Sequence, residues 1–159
     1  MKKYVLIPIL GSFCILSACS MNTFSDVDGK TGVSLNNGSV SINISPCSTG
    51  VDYIDIKGKN INGIEQNYAN FIADEPQKEP FSINIYDPEE PWRLISDVSL
   101  PTEEESTIII SAGSLIENEQ SVQTNTTIGE ISKLQEGEVL TTISGKNTIV
   151  SQETFNSCE

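Results

Sequence analysis

Apolar side chains in this chain recur at every second residue in short runs, a period that suits half-buried strands and not amphipathic helices. Val33 and Leu35, then Val40, Ile42 and Ile44, fall on one side, while Ser34, Ser39, Ser41 and Asn43 fall on the other. Asn37-Gly38 lies between the two runs and suits a type I′ turn, whose central residues both need positive φ, so the segment predicts a hairpin. Phe81, Ile83 and Ile85 alternate with Ser82, Asn84 and Tyr86. Trp92, Leu94, Val98 and Leu100 alternate with Arg93, Asp97 and Ser99, although Ser96 interrupts the apolar side. The denser run Ile108, Ile109, Ile110 predicts a central strand over 107–111, and later strands are expected over 122–128, 138–144 and 148–154. Turns are expected at Glu136-Gly137 and Gly145-Lys146-Asn147. The run 51–56 is also β-rich, but its apolar phase shifts between Tyr53 and Ile54, as a bulge or burial on both faces allows.

One segment departs from this period. Ile61, Ile64, Tyr68, Phe71 and Ile72 fall at helical spacing, with Asn62 and Glu65 placed as a capping pair, and predict one short helix over 63–72. About eight short strands separated by Gly, Asn and Pro turns give an all-β chain, an antiparallel β-sandwich with Ig-like Greek-key connectivity. A small closed β-barrel is the alternative architecture. The length of 159 residues is enough for one domain.

Composition removes several classes of function. The chain carries 22 acidic against 9 basic side chains, a net charge of -13, and no histidine. Phosphate neutralisation needs clustered Lys and Arg, so nucleic acid is not an expected partner. Without histidine the usual general base near neutral pH, the usual partner of a Ser or Cys nucleophile and the usual zinc ligand are all missing.

Lys2 and Lys3 precede an apolar run from Tyr4 to Leu16 that ends at Ser17-Ala18-Cys19. A basic start followed by about a dozen apolar residues, too few to span a bilayer, reads as an export signal. Leu16-Ser17-Ala18-Cys19 resembles the lipobox of bacterial lipoproteins, and the resemblance covers only about the first 20 residues. It implies that 1–18 is removed, that Cys19 is acylated, and that the mature chain is held on a membrane by its N-terminal lipid. Ser20 follows the cysteine where aspartate commonly marks inner-membrane retention, so in a cell with two membranes the resemblance implies the outer one. Removal of 1–18 takes two lysines and no acid, which moves the net charge from -13 to -15. Such charge favours a cationic partner, here a cationic envelope protein, over an acidic one.

The resemblance also settles the thiols. With Cys14 in the discarded signal and Cys19 lipidated, Cys47 and Cys158 are left to each other in an oxidising compartment, and a disulfide between them is expected. The stretch 19–31 is polar and reads as a lipidated tether, leaving 32–159 as the domain. Asp26-Val27-Asp28-Gly29 only begins like a calcium loop, and its further ligands and closing glutamate are missing, so no metal site is expected.

No nucleophile elbow, Ser-x-x-Lys pair or phosphate loop occurs, so no catalytic residue and no cofactor is predicted. A glycosidase needs two carboxylates facing across a cleft, and nothing in the sequence selects a pair. Glu103-Glu104-Glu105 reads as a charged turn ahead of an apolar strand. The segment Asp87-Pro88-Glu89-Glu90-Pro91, flanked by Tyr86 and Trp92, is the candidate contact surface: two prolines restrict it, and a restricted loop loses less entropy on binding. The expected protein is therefore a lipid-anchored, non-catalytic binding or structural module. An inhibitor or immunity-type lipoprotein that blocks a basic partner is one alternative, and a carboxylate-dependent carbohydrate-active enzyme is another.

Overall fold

A computed structural model describes residues 29–116, 119–121 and 123–158. Cys19, the signal 1–18 and all of the tether before residue 29 lie outside the described residues. In chain order the elements are β1 (Lys30–Asn36), β2 (Ser39–Ser45), β3 (Val51–Lys57), β4 (Asn67–Gln77), β5 (Phe81–Asn84), β6 (Trp92–Ser96) and β7 (Thr107–Ser114). They continue as β8 (Glu119–Gln120), β9 (Thr124–Thr127), α1 (Ile128–Ile131), β10 (Glu138–Ile143), β11 (Lys146–Ser151) and α2 (Gln152–Asn156). Lys30 and Thr31, placed in the tether by the sequence, belong to β1, and the domain begins accordingly earlier.

The strands form two antiparallel sheets packed as a sandwich. One has the order β11-β10-β1-β2-β5; the other has the order β6-β4-β3-β7-β8, with β9 also paired to β7. Both sheets end on edge strands, so among the described residues there is no closed barrel. β2 passes into β3 of the opposite sheet, while β5 returns beside β2 and β7 lies beside β3. That exchange is Greek-key connectivity. It differs from a plain Ig order in two places: β6 returns to the edge of the second sheet, and the β10–β11 hairpin extends the first sheet beyond β1.

Local chemistry sets the turns. Asn37 and Gly38 take φ of +51° and +78°, the type I′ pair that the register Asn36 opposite Ser39 requires. Ser144 (φ +51°) and Gly145 (φ +75°) turn the β10–β11 hairpin in the same way, one residue earlier than the sequence suggested. In β3 the phase shift becomes a register irregularity against β4 between Val51 and Tyr53, after which Ile54 and Ile56 face the core.

The expected helix over 63–72 is absent and is corrected by the structure. Ile61 and Ile64 bridge each other across Asn62 (φ +53°) and Gly63 (φ +82°), and both isoleucines are exposed. From Asn67 the chain is β4, burying Ala69, Phe71 and Ala73 at period two. Pairing with β3 along its length overrides a helical spacing that arose partly by coincidence, as context does for short segments. Two short helices went unforeseen. α1 is a single turn held by a capping box between Thr127 and Glu130, and α2 is capped at its N-terminus by Ser151, whose hydroxyl accepts from the Thr154 N–H.

The core between the sheets holds Val33, Ile42, Ile44, Ile54, Ile56, Phe71, Ile108 and Ile110, all essentially fully buried. A small polar knot crosses it: Thr124 and Thr141 donate hydroxyls to the Thr31 carbonyl at 2.6 and 2.7 Å, joining β9 and β10 to β1. On the opposite face of β1, Gly32 leaves room for the tail. A Cβ there would stand 2.6 Å from Val139 Cγ1 and 2.9 Å from Phe155 Cε2, and Phe155 on α2 is 1% exposed. Beyond α2, Lys30 donates its ammonium to the Ser157 carbonyl and Ser45 its hydroxyl to that of Asn156. Cys47 and Cys158 are bonded, with Cα atoms 5.4 Å apart at a sequence separation of 111. The C-terminus is thus strapped to the sheet where β1 begins.

Replacing both Cys47 and Cys158 by serine is expected to lower the unfolding free energy by about 2 to 5 kcal/mol, read from urea denaturation midpoints. Phe155→Ala in the oxidised protein should cost about 3 kcal/mol by the same measurement. A loss under about 1 kcal/mol for Phe155→Ala would mean that the strap is held by the disulfide alone.

Candidate functional site

A cleft of about 490 Å³ opens at one side of the sandwich, where the edge strands of the two sheets approach each other. Its walls come from four places distant in sequence. All four residues of β5 contribute, together with Gln77 at the end of β4, the tip of the β1–β2 hairpin (Asn36, Asn37, Ser39, Ser41), and the segment from Asp87 to Trp92. Phe81 and Trp92 stack with ring centroids 5.1 Å apart and planes 28° apart, one ring from each sheet, so this pair closes the core beside the cleft. Trp92 is 6% exposed and serves chiefly as a core side chain.

The loop is held at both ends by backbone turns. The Asp87 N–H donates to the Asn84 carbonyl and the Trp92 N–H to that of Glu89, each at 3.0 to 3.3 Å. The Asn84 side chain accepts from the Tyr86 N–H at 3.0 Å, and the Glu90-Pro91 bond is cis. Asp87, Glu89 and Glu90 are exposed, and the lining contains these three carboxylates and no Lys or Arg. Of the contact residues expected from sequence, the structure therefore brings Asp87, Glu89, Glu90 and Trp92 to one cleft. Tyr86 is 61% exposed and does not line it. The part of the hairpin tip in the site was invisible in the sequence, because it reaches the cleft only through the adjacency of β2 and β5, and Gln77, at the end of β4, carried no signal of its own.

Strand β5 has a distinct electrostatic edge. The Ile85 N–H donates to the Val40 carbonyl, and the register pairs Ile83 with Ile42 and Phe81 with Ile44. Hydrogen-bonding direction alternates along a strand, so the odd-numbered residues point their backbone groups at β2, while Ser82 and Asn84 point theirs outward along the cleft.

A second polar cluster lies on the outer face of the other sheet. Asp55, 5% exposed, accepts from Asn70 Nδ2 at 2.6 Å and pairs with Lys57 at 2.7 Å; Lys57 also reaches Glu65 at 2.6 Å. Asn70 in turn donates to the Tyr53 hydroxyl at 3.0 Å and accepts from Asn67 at 2.6 Å. Hydrogen bonds to Asp55 first and Glu65 second push the Lys57 ammonium above its ordinary pKa, and burial and the Asp55 charge raise the Tyr53 phenol. These groups satisfy one another and bind β3 to β4 and to the 58–66 loop, a structural task. Among the described residues no group of three or more His, Cys, Asp or Glu side chains is placed to hold a metal ion.

The sign of the pH dependence follows. Both groups have folded pKa values above their ordinary 10.5 and 10.0, so each holds its proton more tightly when folded. Their stabilisation is complete below about pH 10 and is lost as pH rises through the folded values. The fall in urea midpoint from about pH 9 to pH 11 should therefore be smaller in Lys57→Met than in the parent, and an equal fall would contradict the assignment. Compared with family models, with curated proteins and with solved structures, the chain gives no match in any of the three.

Proposed function

We propose that the protein is a lipid-anchored module of the cell envelope, held through Cys19 at the outer membrane of a two-membrane cell, that acts by binding another protein and not by catalysis. The observation that carries this reading is the polarity of the domain relative to its attachment. Strand β1 begins at Lys30, beside Ser45 and the Cys47–Cys158 bond, whereas the cleft includes Asn36, Asn37 and Ser39 at the other end of the same hairpin. Seven residues of strand separate the two ends, about 20 Å at 3.3 Å per residue. A tether from Cys19 to Lys30 adds at most about 40 Å of reach. Attached at that end, the domain carries the Asn36 to Ser39 side of its cleft at the far end of the hairpin from the lipid.

The acidic cleft also favours the inhibitor or immunity-type reading, in which a basic surface of a partner protein is engaged by Asp87, Glu89 and Glu90. Those three acids all come from one loop, which suits contact better than the opposed pair that glycoside hydrolysis needs.

A photo-crosslinking residue placed at Asn37 in intact cells should capture one envelope protein, and capture should fall in the Asp87→Asn, Glu89→Gln, Glu90→Gln triple variant. The same probe at Thr148, on the far edge of the first sheet, should capture nothing. Cys19→Ala should move the protein from the detergent phase to the aqueous phase, since stable anchoring depends on several acyl chains. Recovery of the parent protein in the aqueous phase would contradict the anchoring, and equal capture from both positions would contradict the cleft.

A further inference from the structure

We propose that the cleft takes an extended, cationic segment of a partner protein as an added strand on the free edge of β5. The inference rests on the protein-binding reading above and specifies how the partner is held. Among the described residues β5 is the terminal strand of its sheet, paired only with β2. Ser82 turns its N–H and C=O, and Asn84 its N–H, along the outward edge, which is the hydrogen-bonding template that strand addition uses.

Natural edges are usually blunted by lysine, proline or a covering segment. Among the described residues β5 has none of these, and the whole strand lines the cleft of about 490 Å³. The edge of the other sheet differs: on β6, Arg93 is paired with Asp74 at 2.9 Å. The added strand would lie between β5 and the loop bearing Asp87, Glu89 and Glu90, with alternate side chains turned toward those acids. Lysine or arginine at every second position meets their charge.

Other occupants fit less well. A second copy of this chain would bring its own acidic loop and a net charge of -13 against the same cleft. A sugar would want an open aromatic face, and Trp92 is buried against Phe81.

The test uses the isotope-labelled mature chain and end-blocked peptides of about six residues, the length of an ordinary strand. A peptide alternating valine and lysine is expected to shift the amide signals of Ser82 and Asn84 and to slow their hydrogen exchange. The valine and glutamine analogue should bind about tenfold more weakly, as should the valine and lysine peptide with the Asp87→Asn, Glu89→Gln, Glu90→Gln variant. Ser82→Pro should abolish binding, because it removes an outward N–H while leaving the bonds to β2 in place. If Ser82→Pro disrupts the fold, the charge variant decides. The proposal is overturned if the valine and lysine peptide does not bind, if it binds without perturbing Ser82 and Asn84, or if a valine and glutamate peptide binds equally well. It is also overturned if those amides are covered in the peptide-free protein by a second copy or by the chain's own amino-terminal segment. Capture in cells from Asn37 that persists in Ser82→Pro would overturn strand addition while leaving the binding function intact; absence of capture in the parent protein would overturn the function itself.

Discussion

Two sheets that are both open at their edges must still keep water out of the core they share. At one side of this molecule Phe81 of β5 stacks on Trp92 of β6 across that boundary. The pair joins the first sheet to the second where neither has a further strand, and it fixes the distance between the two edges. The segment that connects these strands, 85–91, is then obliged to bridge the gap. Its turns at Asn84 and Glu89 and its three carboxylates follow from that short crossing, so the closure of the core and the shape of the cleft have one origin.

The opposite pole is organised by the tail. Gly32 lacks the Cβ that would exclude Phe155, and the tail beyond it is fastened by the Lys30 and Ser45 hydrogen bonds and by Cys158 to Cys47. These contacts gather the start of β1, the end of β2 and the C-terminus at one place. Because a long loop is closed there, the unfolded chain loses more freedom than a local crosslink would remove, by about 5 kcal/mol on the chain-entropy account. The end that bears the cleft is left to a hairpin tip and a loop, where substitutions leave the core intact.

The legible part of the fold was the part governed by neighbours in sequence. The Asn37-Gly38 hairpin, the central strand at Ile108 to Ile110, the inward phase of Trp92 and the Greek-key sandwich could be read from alternation and turn chemistry. The 63–72 segment misled because Ile61, Ile64 and Tyr68 mimic a helical stripe. Asn62-Gly63 carried the same turn signal as Asn37-Gly38 and would have marked a tight reversal there. Of the candidate site, the acidic loop was visible because it is contiguous. The free edge of β5, and the arrival of Asn36 and Ser39 beside it, depend on which strands become neighbours across about 40 residues of chain, and no local pattern encodes that.

Strand addition requires β5 to be satisfied on one side and open on the other. Residue-resolved hydrogen exchange of the free protein measures this directly, since each amide reports whether its own N–H is bonded. The amides of Ile83 and Ile85 should exchange slowly, with the core, while those of Ser82 and Asn84 between and beside them exchange at rates close to those of a loop. Slow exchange at Ser82 and Asn84 in the absence of any partner would show that the edge is already covered and would contradict the open cleft.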